Sequence, residues 1–148
     1  MIRIREGGFL ITKIHHLVGR IFTQILRDLS IDVKPGQGRI LLALWRKDGI
    51  SANELAKETQ LSKPAVTELV DRLKESGIVE RNRSKKDRRQ VIIKLTAEAQ
   101  DMNQKYELAS CRMTEIVYDG LSSRERDQFD DLLRRVLQNL IEYEEQTK

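Results

Sequence analysis

The sequence predicts a mainly α-helical fold with one small β hairpin, and three observations support this prediction. Only two prolines and eight glycines interrupt the 148 residues, so long helices are permitted between them. Apolar residues recur at three- and four-residue spacing along most of the chain, which is the helical period. One pair of β-rich runs, at 78–81 and 90–95, flanks a hydrophilic tip. The predicted order of elements is therefore ααααββαα.

The first two helices are predicted from their apolar stripes. The stripe over residues 14–29 is wider than a single seam, which predicts a helix from about 9 to 29 that is packed on two sides. Pro35 suits the first turn of a second helix, and Gly49 is expected to close that helix in a left-handed cap. The inward stripe of this helix comprises Ile40, Leu41, Leu44 and Trp45.

Capping residues delimit the next two helices. Ser51 and Glu54 fit the capping box, which predicts a short helix ending near Thr59. Ser62 is a second N-cap, and Gly77 ends the fourth helix. The inward stripe of the fourth helix comprises Val66, Leu69, Val70 and Leu73.

Two helices are predicted after the hairpin. Thr96 is expected to cap a long helix over about 97–118, which Gly120 interrupts. Ser122 or Ser123 then starts the last helix. Its apolar face comprises Phe129, Leu132, Leu133, Val136, Leu137 and Leu140.

The composition excludes several classes of protein. Lys and Arg number 27 against 23 Asp and Glu, so the net charge of +4 favours a polyanionic partner. The single cysteine, Cys111, excludes a disulfide framework within one chain and a cysteine zinc site. No run of about 18 apolar residues is present, so we expect a cytoplasmic protein without a membrane span. No nucleophile triad or phosphate-binding glycine loop is found, so we do not expect an enzyme.

The third and fourth helices form a predicted helix-turn-helix. Its second helix, at about 62–76, has the place of a recognition helix that enters the major groove of DNA. With the apolar stripe facing inward, small and cationic groups occupy the outward positions at its N-terminal end, where base edges are met. The predicted DNA contacts on this helix are Ser62, Lys63, Pro64, Thr67 and Arg72.

The hairpin that follows is strongly basic. Residues 81–89 contain six basic groups and one acid, which suits a phosphate backbone and a narrow minor groove. A helix-turn-helix alone is a common packing unit, and a basic loop alone is usually solvated surface. A recognition helix at 62–76 followed by a wing at about 78–95 is more specific, because a winged helix requires this order. The predicted contacts on the wing are Arg81, Arg83, Lys85, Lys86, Arg88 and Arg89.

The same region resembles the MarR family of bacterial and archaeal transcriptional regulators. The matching residues are the run 61–79, in particular Asp71, Arg72, Leu73 and Gly77, followed by Asp87, Arg89, Leu95 and Thr96. The resemblance covers the whole chain in length and element order. It implies a homodimer that binds a pseudo-palindromic operator, commonly as a ligand-responsive repressor. Residues 1–34 and 97–148 would form the dimerisation region, and residues 35–96 the winged helix-turn-helix.

The resemblance also implies roles for individual side chains. Arg89 is expected to enter the minor groove, and Asp87 to stabilise the wing by pairing with an arginine, for which Arg72 is our hypothesis. Glu68 stands where many relatives have a basic or small residue. It either accepts a hydrogen bond from cytosine or is neutralised by Arg72 or Lys63, and we favour the ion pair.

A small aromatic or phenolic effector is implied between the dimerisation helices and the winged helix. His15, His16 and Trp45 are the candidate lining residues, although a tryptophan on an amphipathic stripe is more typical of a core. The adjacent histidines point to different helix faces, so we predict neither a metal site nor a cofactor. Cys111 is expected to be a buried structural thiol. The alternative functions are a cysteine-based redox sensor and a winged helix that binds protein, which would expose an apolar face on 62–76.

Overall fold

The computed structural model describes residues 1–34 and 36–148, so the predicted helix start at Pro35 lies outside the described residues. Two compact units are formed, Met1–Cys111 and Arg112–Lys148. The helices are α1 (Gly7–Asp28), α2 (Gln37–Arg46), α3 (Ala52–Thr59), α4 (Lys63–Glu75), α5 (Ala97–Asp101), α6 (Asn103–Val117) and α7 (Ser123–Gln146). The strands are β1 (Ile50–Ser51), β2 (Val79–Arg83) and β3 (Val91–Leu95). The mainly helical class with a small sheet is therefore confirmed.

The core of the first unit lies among α2, α3, α4 and the sheet. Six of the predicted inward residues are buried, namely Ile40, Leu41, Leu44, Val66, Val70 and Leu73, whereas Trp45 and Leu69 are only half-buried. Leu55 of α3 is also buried. The sheet is antiparallel in the order β1-β3-β2, and its hairpin register pairs Val79 with Leu95 and Arg83 with Val91. β1 was not predicted, because two residues are too few to show an alternating pattern.

Most predicted helix caps are present. Ser51 Oγ accepts from the Glu54 amide at 3.1 Å, and Ser62 Oγ accepts from the Ala65 amide at 3.3 Å. The capping box at Ser51 is only half formed, since the Glu54 carboxylate lies 4.0 Å from Lys47 Nζ instead. Gly49 is left-handed with φ of +66°, but α2 ends earlier, at an extended Lys47.

The predicted burial of α1 on two sides is wrong for a single chain. Only Ile25 and Leu26, near its C-terminal end, are buried. The stripe continues towards the N-terminus, where its large apolar side chains are exposed. The exposed members of this face are Phe9, Leu10, Ile11, Ile14, Leu17 and Ile21.

The predicted long helix over 97–118 is divided into α5 and α6 at Met102. Met102 N donates to Ala99 O at 3.2 Å, which is a tighter turn than the α-helix makes. The break was not predicted, because no glycine or proline lies near Met102 in the sequence. Cys111 is exposed, so its predicted burial is wrong. The buried stripe of α6 passes through Tyr106 and Ala109, and Cys111 lies about 200° around the helix from Ala109.

The second unit contains the end of α6 and all of α7. Ser122 and Glu125 form a complete capping box. The Ser122 amide donates to Glu125 Oε1 at 2.9 Å, and this bond, with a smaller effect of the Ser122 side chain, lowers the pKa of the Glu125 carboxyl. Tyr118 donates its hydroxyl hydrogen bond to Asp130, which raises the pKa of Tyr118. No residue of α7 is buried, and Leu132, Leu133, Val136, Leu137 and Leu140 are exposed. None of the described helices is long and apolar enough to cross a membrane.

Candidate nucleic-acid interface

α4 presents a polar outward face. Burial of Val66, Val70 and Leu73 fixes its inward side, and the Ser62 cap fixes its start. The five predicted DNA contacts are all exposed: Ser62, Lys63, Pro64, Thr67 and Arg72. This face has hydrogen-bonding and cationic groups rather than the apolar surface expected of a protein-binding helix.

Hydrogen bonds join α4 to the wing, which we define as β2, β3 and the residues between them. Ile78 N donates to Leu73 O at 2.9 Å, and the Thr96 hydroxyl donates to Gly77 O at 2.8 Å. Asp48 Oδ1 accepts from the Leu95 amide at 2.9 Å. The base of the wing is therefore anchored at both strands. Sequence reasoning missed Asp48, because no local pattern relates it to a strand 47 positions away.

Arg81 of β2 was predicted to contact DNA, but its guanidinium is bonded within the chain. It pairs with the Asp71 carboxylate and donates to Thr67 O at 3.4 Å. Its side chain is 28% exposed, the least of any arginine found in an ion pair among the described residues. Arg81 thus holds β2 against α4. Asp71, which sequence reasoning assigned no role, is its partner.

Arg72 pairs with Glu68 rather than with Asp87. Arg72 Nη2 lies 2.7 Å from Glu68 Oε1 at i,i+4 spacing, which confirms that Glu68 is neutralised by an ion pair. The hypothesis of an Arg72–Asp87 pair is therefore wrong. Asp87 Oδ1 instead accepts from the Arg89 amide at 3.0 Å, an aspartate turn that stabilises the wing locally.

The tip of the wing, residues 84–90, is ordered by short-range bonds. Half-buried Ser84 accepts at Oγ from the amides of Lys86 and Asp87 at 3.2 and 3.3 Å. Ser84 N donates to Gln90 O at 2.9 Å and closes the loop. Within the described residues, Lys94 of β3 and five cations at or beside the tip are exposed and form no ion pair; the five are Arg83, Lys85, Lys86, Arg88 and Arg89. They concentrate positive charge where a polyanion can approach.

A cavity of about 780 Å³ lies in the first unit, beside α1 and the start of α2. The predicted His15 and His16 line it, but Trp45 does not. Trp45 packs instead against Tyr106, with ring centroids 4.1 Å apart and the rings tilted by 44°. The cationic lining residues are Arg20, Arg27, Lys34 and Arg39, and the apolar ones include Phe22, Leu26, Val33 and Leu42. No cluster suited to a metal ion occurs in the part of the chain that the structure describes.

Tyr106 forms one wall of this cavity. Its hydroxyl donates to Gly38 O at 2.6 Å, and the ring of Phe22 meets it edge-on at 5.5 Å. Burial raises the pKa of the Tyr106 phenol, so the group stays protonated to a higher pH than an exposed tyrosine does. Tyr106 thereby links α6 to the first turn of α2.

Comparisons with known proteins agree with this geometry. A family model described as MarR family matches residues 31–90. The uncharacterized HTH-type transcriptional regulator YfiV of Bacillus subtilis is 28% identical over 123 residues, which cover 75% of this chain and 71% of that protein.

Two solved structures are similar over nearly the whole chain. A mutant of MarR from E. coli, complexed with operator DNA, is 27% identical with a TM-score of 0.77, covering 88% of this chain and 92% of that one. The PcaV regulator of Streptomyces coelicolor, in complex with its natural ligand, is 21% identical with a TM-score of 0.78, covering 93% of this chain and 98% of that one.

Proposed function

The chain belongs to the MarR family of transcriptional regulators, and from this premise we propose that it binds a pseudo-palindromic DNA operator as a homodimer. The observation that supports this proposal best is the junction of α4 with the wing. A helix with a polar outward face is followed at once by a hairpin in which residues 83–89 include five exposed cations that form no ion pair with a described residue. The similar E. coli MarR mutant was crystallised with its operator.

Each part of this surface has a distinct proposed role. Ser62, Lys63, Pro64 and Thr67 contact base edges in the major groove. Arg83, Lys85, Lys86 and Arg88 neutralise phosphates, while Arg89 enters the minor groove. Arg72 and Arg81 act differently from the sequence-based expectation, because both are paired within the chain. They fix the charge and orientation of α4.

The proposed dimer interface is supported by the uncovered apolar faces of α1 and α7. Each helix exposes at least five large apolar side chains in one chain, a contiguous surface that soluble monomers rarely leave to water. A second copy of the chain would cover such a face with an identical one, as two-fold dimers do. Two α4 helices about 34–36 Å apart would then enter successive major grooves.

The cavity is the proposed effector site. Its arginines, lysine and histidines favour an anion, and its apolar wall favours an aromatic ring. PcaV, whose fold is similar, binds a natural ligand. We propose that such an effector alters operator affinity by its differential affinity for the two states of the dimer, and that the protein acts as a repressor in the cytoplasm.

Fluorescence anisotropy tests the operator proposal directly. The duplex would be the DNA upstream of the chain's own coding sequence, compared with a scrambled duplex at several salt concentrations. Wild type is compared with Arg89→Ala, and with Lys105→Ala as a matched control on exposed α6 surface. We expect specific binding with a steep salt dependence that Arg89→Ala weakens and Lys105→Ala does not. Equal binding to both duplexes, unchanged by Arg89→Ala, would contradict the proposal.

A further inference from the structure

Glu68 lies near the centre of the outward face of α4. It is two positions after buried Val66 and two before buried Val70, which places it about 160° around the helix from each. Its side chain is 66% exposed, against 49% for Asp71, the other carboxylate of the same turn. Because Asp71 pairs with Arg81 of the wing, Glu68 is the more accessible acid of this turn.

The ion pair with Arg72 leaves part of the Glu68 carboxylate available. Arg72 Nη2 lies 2.7 Å from Glu68 Oε1, and no described residue donates a hydrogen bond to the other oxygen, Oε2. An ionised carboxylate only accepts hydrogen bonds, at about four lone-pair sites. The pair is neutral overall, which limits repulsion from phosphates, and it keeps an unused acceptor on the face of α4 proposed to enter the major groove.

The four bases offer different partners to such an acceptor. Cytosine presents only the amino donor N4 to the major groove, whereas guanine and thymine present acceptors, which a carboxylate repels. Adenine has an amino donor beside the acceptor N7, and this combination matches an amide better than a carboxylate. The chemistry of Glu68 therefore suits cytosine.

We propose that Glu68 is a specificity-determining residue that accepts a hydrogen bond from a cytosine amino group at one position of each operator half-site. This inference rests on the proposed operator binding. The contact with cytosine and the ion pair with Arg72 are compatible, because they use different oxygens. Arg72 is a positioning residue, since it neutralises and restrains the carboxylate. Arg81, which donates to Thr67 O at 3.4 Å, holds the adjacent backbone against the wing.

Selection of DNA from a pool of random duplexes tests this assignment with the full-length protein. Wild type is compared with Glu68→Ala, which removes the acceptor, and with Glu68→Gln, which replaces the carboxylate by an amide. Glu107→Ala is the matched control, because it removes an exposed carboxylate from α6, outside α4 and the wing. Circular dichroism and size-exclusion chromatography confirm the folding and assembly of each variant.

We expect wild type and Glu107→Ala to select the same sites, with cytosine at one position of each half-site. At that position Glu68→Gln should prefer adenine and Glu68→Ala should accept all four bases, while the other positions stay unchanged. Anisotropy titrations then compare duplexes that differ only at this base pair. Wild type should prefer cytosine by about tenfold, and Glu68→Ala by less than about twofold.

The role of Arg72 is tested in the same titrations. Arg72→Ala leaves the charge of Glu68 unpaired, so it should weaken binding to every duplex, and the additional substitution Glu68→Ala should relieve this repulsion. Weakening that Glu68→Ala does not relieve would contradict the positioning role and would show that Arg72 contacts DNA itself.

Two results would overturn the assignment of Glu68. Glu68→Ala could select the wild-type sites unchanged, or it could bind every duplex more tightly without a change in base preference, as expected of a carboxylate that only repels phosphates. In either case wild type would still select a defined site, which separates failure of this inference from failure of the proposed function. If wild type selected no common sequence, both proposals would be wrong.

Discussion

Arg81 of β2 and Asp71 of α4 form an ion pair across the junction between the wing and the helix proposed to read DNA. The same guanidinium donates to Thr67 O, one turn before Asp71. The two side chains are 28% and 49% exposed, so water screens the pair and its expected contribution to stability is only about 0.2–1 kcal/mol. Its main effect is geometric, since it fixes the angle between a strand and a helix that must engage one duplex together.

Asp71→Ala and Arg81→Ala should therefore both weaken operator binding. Both substitutions act by loss of the wing's orientation and not by loss of a phosphate contact. Asp71→Ala should therefore leave the slope of log Kd against log salt concentration unchanged, although it removes a negative charge. A double-mutant cycle on the free energy of unfolding should give a coupling of about 1 kcal/mol or less. If Arg81→Ala lowered the salt slope by about one unit and Asp71→Ala had no effect, Arg81 would be a phosphate contact, as the sequence suggested.

Substitution of Asp87 distinguishes a local turn from an ion pair. Its Oδ1 accepts from the Arg89 amide, and the side-chain oxygen of asparagine can accept the same bond. Asp87→Asn should therefore retain operator affinity. Asp87→Ala should weaken it by about fivefold, the equivalent of one hydrogen bond worth about 1 kcal/mol. Equal weakening by both substitutions in anisotropy titrations would indicate that the charge of Asp87 is what matters.

The sequence predicted those parts of the fold that depend on near neighbours. The caps at Ser51, Ser62, Thr96 and Ser122 and the stripe of α4 are set by three- and four-residue spacings, and all are present. The contacts it missed join distant segments. Asp48 accepts a hydrogen bond from the Leu95 amide, which comes close to it only in the folded sheet. β1 forms only by pairing with the edge of β3.

Prediction of the site followed the same division. Exposure of the outward α4 residues could be predicted from periodicity, that of the wing tip from its charge, and the Glu68–Arg72 pair from its i,i+4 spacing. The partners of Arg81 and Asp87 could not, because they depend on where the hairpin meets α4 and on how its tip turns. Similarly, Trp45 packs against Tyr106 instead of lining the cavity, an arrangement set by α6, which lies about 60 positions further along the chain.

A charge placed on either uncovered apolar face should prevent dimerisation. Leu17→Glu on α1 and Leu137→Glu on α7 introduce a carboxylate where the proposed interface excludes water, at a cost of several kcal/mol if it stays ionised. Light scattering after size-exclusion chromatography should show monomers, with operator binding lost. Gln138→Glu, at an exposed position on the opposite side of α7 from the apolar face, is the control and should remain dimeric. Dimers in both leucine variants would place the interface elsewhere.

Loss of the Tyr106 hydroxyl should loosen the wall of the cavity. Tyr106→Phe removes the donor to Gly38 O and leaves the ring packed against Phe22 and Trp45. The free energy of unfolding should therefore fall by about 0.5–1.5 kcal/mol. Trp45 is the only tryptophan, and denaturant unfolding can be followed by its fluorescence. Tyr143→Phe, at a tyrosine that is 68% exposed, is the control. Identical stability of Tyr106→Phe and wild type would show that the bond to Gly38 contributes nothing net.

The capping box of α7 should make stability depend on pH in a defined direction. Hydrogen bonds from Ser122 lower the pKa of the Glu125 carboxyl below its ordinary value of 4.5, so the folded state binds this proton less readily than the unfolded chain. The contribution of the ionised carboxylate is therefore fully present above about pH 5 and is lost as the pH falls through the lowered pKa. Glu125→Gln keeps an acceptor oxygen but does not titrate. The free energy of unfolding of wild type should therefore exceed that of Glu125→Gln by a constant amount above about pH 5, and the difference should shrink progressively below that pH. Urea titrations of both proteins from acidic to neutral pH measure the difference, and a difference that did not vary with pH would show that ionisation of Glu125 does not contribute to the cap.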